Sequence, residues 1–600
     1  MISLKTIFAV FFSVIFLLYS QANADWRTED VTGGQKFNEE DYRPAILSYP
    51  PPIEVKVMFD LTHTQHQGNF DILSKLGYVL HNIDGYQEGG AAKYATIWHK
   101  YSSYPYAWAS HHGMTSSEYQ EKFNFYNLNK GYYLYDVSLY DVNGTAYYAA
   151  IWRDDNYEPS SWRSFHGMTA VEYQVKFNEL KANGFMPVDL TSTNSNGTAL
   201  YAAIWHPIQF SFSARHGQSS SEYQKTFNTL VSNGYRLARN TGMRINDRDQ
   251  YSSIFQKISS PPWYARHGME RNLINAVEAF RKCTTGEIVQ IDGWQRTSQT
   301  RYNAIWENLP STGLKFIWPV AGVIGEDWEI NNYLDLAFCN KGTRVDYVGV
   351  YGNKAKNYDN HDAVDIDIPN FRQQDAGVDV YAAAEGIVED LEDGRFDRVT
   401  SGCGDGPNYV VIKHPDGSKT YYYHLRKDSV PVITNQNVTA GTVIGQIGSS
   451  GCSSNPHLHF TVRDPNGMIV SPFLMNNFKN PPPYFHTVGY MDLIVAEDDA
   501  LSWDEMKDPD PNISELHQGS SLAVGLHLGG GLDSDTAQVR LRRSDNSQIE
   551  IRTAGIDKWS RHSFQHRWYF ILTEPLDSNI YVDVIINGAV KDTHELTIVE

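Results

Sequence analysis

A chain of 600 residues exceeds what one hydrophobic core can organise, so several domains are expected. The formal charge of −20 excludes the basic footprint that nucleic-acid phosphates need, and it argues against attraction to anionic walls or membranes. Hydrophobic residues at 41% and charged residues at 20% fit a soluble protein, and the 38 Tyr and 14 Trp favour strands and sugar- or peptide-contacting surfaces.

Residues 1–24 have the layout of a secretory signal: Lys5, an apolar run from Ile7 to Tyr19, then the small residues Ala22 and Ala24. The run is short for a membrane span, and Gln21, Asn23 and Asp25 follow directly. An extracellular or periplasmic protein without stable membrane insertion is therefore expected, with an uncleaved anchor as the alternative. Residues 25–76 read as a lead-in.

A repeat fills residues 77–310. Tyr-Ala-Ala-Ile-Trp or a variant recurs at Tyr94–Trp98, Tyr148–Trp152, Tyr201–Trp205, Tyr251–Phe255 and Tyr302–Trp306, with its last aromatic spaced by 54, 53, 50 and 51 residues. Between the copies stand His112-Gly113, His166-Gly167, His216-Gly217 and His267-Gly268, and Glu-Tyr-Gln follows the first three of these pairs. The aromatic string alternates like a strand, Asn143-Gly144 and Asn196-Gly197 are hairpin signals, and Thr169 with Glu172 makes a helix-capping pair. Each unit thus reads as two strands and a short helix, too small to bury its own face, so units must stack. Whether they close or extend is open at this level. The repeated histidines beside glycine read as structural, serving turns rather than metal. The units resemble the bacterial tandem repeats attached to secreted hydrolases such as polyglycine hydrolases, which implies an accessory or substrate-engaging role.

Residues 314–480 change character, becoming rich in Gly and short β-like runs. In His361-Asp362-Ala363-Val364-Asp365-Ile366-Asp367, strand alternation would put His361 and Asp365 on one face, with Asp367 one pleat further on. His457-Leu458-His459-Phe460, preceded by Asn455-Pro456, would aim both histidines at one site and Leu458 and Phe460 at a core. Tyr421-Tyr422-Tyr423-His424-Leu425 reads as a strand in which His424 shares a face with Tyr422. An imidazole and a carboxylate are ligand types for catalytic zinc, while short His/Asp patterns alone are weak signals.

Together these segments resemble the lysostaphin-like, or β-lytic, zinc metallopeptidases. The resemblance extends to Val380–Val388 and to the Gly-rich Ala440–Gly451 that leads into His-x-His. It implies one zinc per chain on His361, Asp365 and His459, with His424 and His457 as the two auxiliary active-site histidines. Three ligands leave one position for water. His457 is then read as general base and His424 as hydrogen-bond donor to the oxyanion, an assignment in which the two are interchangeable. The family has Gly where this chain has Ala363, tolerable where φ is negative. The insertion Phe371–Gly377 and the loop around Cys403 are expected to reshape the groove.

Four cysteines permit three pairings, and disulfides suit an exported protein. Cys403 and Cys452 both lie in the catalytic segment, which favours Cys403–Cys452 and Cys283–Cys339. Pro481–Pro483 marks a boundary, and residues 489–600, with runs such as Ile580–Ile586, read as a β-sandwich accessory domain. The fold class expected is multidomain and mainly β: α+β tandem repeats, an antiparallel-β zinc peptidase domain, then the sandwich. The function expected is a secreted zinc metalloendopeptidase acting on a peptide or peptidoglycan substrate, with a catalytically silent wall- or protein-binding scaffold as the alternative. All five residues are present, which favours catalysis, and no Gly-x-Ser-x-Gly elbow supports a serine hydrolase.

Overall fold

The computed structural model describes residues 52–600 apart from 105, 156–158, 160, 499, 558–562 and 573–578. The signal segment 1–24 and the first part of the lead-in lie outside the described residues. The chain divides into two compact units, one of residues up to 275 with 285–309, the other of 276–284 with 310–600.

The first unit holds five three-stranded sheets, each ordered outer, middle, inner. The middle strands, such as Thr145–Arg153, carry the repeated aromatic string, and Trp98, Trp152, Trp205, Phe255 and Trp306 are fully buried on them. The outer strands are elements that the sequence pattern did not reveal: Glu54–Leu61, Trp108–Met114, Arg163–Thr169, Phe212–Ser219 and Trp263–Met269. Residues 54–76 therefore complete the first sheet and its helix, His63–Lys75, rather than leading into the repeats. That copy lacks the His-Gly marker, which is why its start is hidden in the sequence.

The His-Gly pairs sit on bulges in the outer strands, for example between Arg215 and Gln218. Gly113, Gly167, Gly217 and Gly268 have φ between 63° and 68°, the left-handed region that glycine enters without strain. The bulge turns each histidine toward its neighbouring repeat. Thr115, Thr169 and Ser219 then cap the helices, each with the glutamate three residues on.

The inner strands settle the closure. Gly85 N–H donates to Ser138, Leu139 N–H to Thr191, Ser192 N–H to Thr241, Gly242 N–H to Asp292, and Gly293 N–H back to Asp84. Each bond joins one sheet to the next and the last returns to the first, so the five sheets form a closed ring. Tyr86 and Tyr302, from the first and fifth sheets, both donate to the carboxylate of Asp60 and fasten the seam.

The second unit is built around an eight-stranded sheet that includes, side by side, Glu329–Asn332, Val364–Asp367, His457–Arg463 and Lys419–Tyr423. Asp365 pairs with His459 and Asp367 with His457, while Tyr423 flanks His459 on the other side. One face of these strands is a core of Val364, Ile366, Tyr422, Leu458 and Phe460, all buried. The opposite face carries the polar cluster. Downstream, a three-stranded and a five-stranded sheet enclose a shared apolar core that includes Leu493, Val524, Val539 and Val582, a β-sandwich. The disulfides are Cys283–Cys339 and Cys403–Cys452.

Candidate metal centre

Parity along His457–Arg463 sends His457 and His459 to the polar face and Leu458 and Phe460 to the core, as strand alternation requires. Two other placements differ from the alternation read in the sequence. His361 precedes the strand Val364–Asp367 and reaches the site from a turn, after Asn360 at φ 65°. His424 follows the last residue of Lys419–Tyr423 with φ 65°. That left-handed residue breaks the strand's parity. Tyr422 stays in the core, its hydroxyl accepting from Ala383 N–H, while His424 swings to the metal side.

The five residues converge. His361 Nε2 and His459 Nδ1 each lie 3.0 Å from Asp365 Oδ1, and His457 Nε2 is 3.9 Å from the same oxygen. The rings of His424 and His457 are 4.6 Å apart, centre to centre. Their groove, ≈ 690 Å³, is walled by Asn331, Asn332, Tyr358 and Tyr423 and by Gly402 and Cys452 beside the second disulfide. The loop around Cys403 thus shapes the groove, whereas Phe371–Ala376 forms a short helix away from its lining. Ala363 is buried and has no positive φ, so the extra methyl is accommodated.

Two sets of three offer ligand atoms within 4.8 Å of one another: His361, Asp365 and His459, and His424, His457 and His459. The chemistry favours the first. It contains a carboxylate to balance a dication, and the buried His361 Nε2 faces that carboxylate at 3.0 Å without an aligned hydrogen bond. Burial works against the charge on Asp365, yet the facing His361 and the hydrogen bond from His459 hold its carboxyl well below the usual range. The donor set fits zinc.

Neighbours that no motif announced aim these groups. His361 Nδ1–H donates to the Tyr333 carbonyl at 2.8 Å, which leaves Nε2 for the metal. Asn332 donates to Asp365 Oδ2 at 3.0 Å. The ring nitrogens Nδ1 of His424 and His457 face the carbonyls of Ser450 at 2.6 Å and Asn455 at 2.8 Å. A carbonyl only accepts, so both rings carry a proton on Nδ1 and turn Nε2 to the groove. Burial, with His457 and His459 nearby, holds His424 down to about 3, so it is neutral. Asp367 lies beneath His457, bonded by Asn331 and Asn455 and pushed by burial up to about 6.

Residues 359–472 match peptidase family M23, and residues 55–101, 105–155, 159–208 and 211–258 match a polyglycine hydrolase-like structural repeat. Over 96 residues the chain is 38% identical to the DD-carboxypeptidase/endopeptidase Mpg of Neisseria meningitidis serogroup B, covering 16% of this chain and 19% of that protein. It is 31% identical over 115 residues to the glycyl-glycine endopeptidase ALE-1 of Staphylococcus capitis, covering 19% and 30%. It is 33% identical over 84 residues to the peptidoglycan DD-endopeptidase ShyC of Vibrio cholerae, covering 14% and 17%. The chain thus spans less than a third of the length of each of these curated relatives.

Proposed function

We propose, on the premise that residues 359–472 are a peptidase family M23 domain, that the chain is an exported zinc endopeptidase cleaving peptidoglycan cross-bridges or glycine-rich peptides. One observation carries the reading: ligand atoms of His361, Asp365 and His459 converge within 4.8 Å, with His424 and His457 beside them in one groove. The relatives named for DD-peptide, glycyl-glycine and peptidoglycan chemistry support the substrate class.

His361, Asp365 and His459 would hold the zinc, which would supply Lewis acidity and lower the pKa of a water at neutral pH. The chain's own residues do the rest. His457, with its Nδ1 proton fixed on the Asn455 carbonyl, turns Nε2 toward the groove, where it is placed to accept the proton of an attacking water. His424 is held the same way by Ser450, so it too offers a lone pair rather than a donor. A neutral His424 therefore cannot donate to an oxyanion through Nε2. Whichever ring takes the water's proton becomes the donor, first toward the oxyanion and then toward the leaving amine. Asp367, next to His457 and hydrogen-bonded by Asn331 and Asn455, is placed to stabilise that imidazolium.

The test is zinc content and cleavage of peptidoglycan and of a pentaglycine peptide by the full chain and by His459→Ala. One zinc per wild-type chain, with cleavage that vanishes together with the metal in the variant, is the expected result. Wild-type protein that holds no zinc and cuts neither substrate overturns the reading.

A further inference from the structure

Asp362 lies next to the first ligand in sequence, yet its carboxylate contacts the last. Along His457–Arg463, alternation places His459, Thr461 and Arg463 on the metal face. Asp362 spans two of them: its Oδ1 is 3.3 Å from His459 Nε2 and its Oδ2 is 3.3 Å from Arg463 Nη2. Arg463 is itself fixed, donating from Nη1 to the Gly467 carbonyl at 3.0 Å. The other nitrogen of the same imidazole, Nδ1, faces Asp365 Oδ1 at 3.0 Å.

We propose that Asp362, braced by Arg463, is the positioning carboxylate of His459: it receives Nε2–H and so fixes both the tautomer and the plane of the ring that offers Nδ1 to the metal. The inference rests on the ligand set put forward above. Its physical content is specific. An imidazole that serves a metal through one nitrogen needs an acceptor on the other, and His361 finds its own in the Tyr333 carbonyl. His459 finds no carbonyl in that place and uses a side chain. A surface ion pair between Asp362 and Arg463, with no role toward the ring, would instead add little to stability and leave the metal untouched.

Zinc affinity, measured by competition with a chromophoric chelator on the full chain, separates the two. Asp362→Ala is expected to bind zinc about 10–100-fold more weakly than wild type, the range for loss of such an outer partner. Asp362→Asn, which keeps an acceptor oxygen, is expected to recover most of that loss. Arg463→Ala, which unpins the carboxylate without touching the ring, is expected to fall between the two. Wild-type affinity in both Asp362→Ala and Arg463→Ala overturns the proposal, as does an Asp362→Asn variant no better than Asp362→Ala. His459→Ala runs alongside as the control for the ligand set. If it too keeps its zinc, the ligand assignment itself has failed. If it loses zinc while Asp362→Ala does not, only the positioning role has failed.

Discussion

The chain uses histidine in two opposite settings, one in each unit. In the ring, His166, His216 and His267 each stand edge-on to two tyrosines of the preceding repeat, such as Tyr173 and Tyr201 around His216. Burial lowers all three, His267 to about 4, so they pack as neutral amphipathic rings. In the peptidase segment the rings meet carboxylates instead. Burial again disfavours charge on His459, but its contacts with Asp362 and Asp365 raise it to about 9. His267 and His459 are both deeply buried with opposite outcomes, so the neighbouring group, not depth, separates a packing histidine from one set among carboxylates. Repetition carries the same message. A residue needed once per sheet serves the sheet, whereas the five site residues occur once.

The sharpest way to break this comparison lies inside the site, where His424 and His457 also touch His459. If they are acid–base residues, His457→Ala keeps its zinc while kcat falls by about 10²–10⁴-fold, the usual contribution of general acid–base catalysis. His424→Ala is expected to keep its zinc too, with a smaller loss of kcat, since burial lowers the basicity of that ring. Metal analysis beside steady-state kinetics checks both. Loss of zinc in either variant would move the metal to the second triad, His424, His457 and His459.

A ring histidine should do the reverse. His216→Ala removes two edge-to-face contacts, each worth about 0.5–1.5 kcal/mol, and the hydrogen bond to Gln174. The thermal transition of the ring is expected to fall by several degrees, with zinc content and kcat unchanged. His216→Phe keeps the edge-to-face geometry and should recover most of the loss. A change in metal content in either variant would blur the distinction between the two classes of histidine.

How much of this was legible in the sequence depends on where local rules held. Strand alternation placed His457 and His459 against Leu458 and Phe460, because that strand is regular and buried on one face. It misplaced His424, since nothing in Tyr421–Leu425 announces a left-handed residue after Tyr423. It missed five outer strands for a related reason. A bulge, at His-Gly in four of them and between Met58 and Leu61 in the first, shifts the period by a residue and splits each strand's pattern in two. The ring's closure was out of reach, because the bond from Gly293 to Asp84 spans most of the repeat unit and no local signal encodes it. The supports of the site were hidden as well, since Tyr333, Ser450 and Asn455 act through backbone carbonyls, which any residue supplies.

The ring's own ionisable groups give the smallest effect and the one with a definite sign. Asp84, Asp136 and Asp292 point inward from the inner strands and accept backbone N–H bonds from neighbouring sheets. Burial, and for Asp136 the nearby Asp189, pushes Asp136 and Asp292 up to about 7, and burial with Asp292 nearby raises Asp84 in the same direction. An unfolded chain keeps such carboxyls near ~3.9. Between these values the folded ring holds more protons than the unfolded chain, so this contribution to stability is full below pH ~4 and is lost as pH rises through 7. Protection of Tyr133–Val142 and Glu287–Arg296 against hydrogen exchange, corrected for the intrinsic rate, should therefore fall from pH 5 to pH 8. Asp136→Asn keeps the acceptor for Ile83 N–H and cannot ionise, so its profile should be flatter. Protection that rises across this range would mean that the bonds to these carboxylates outweigh their burial, and the ring would then hold its charges as the peptidase site does.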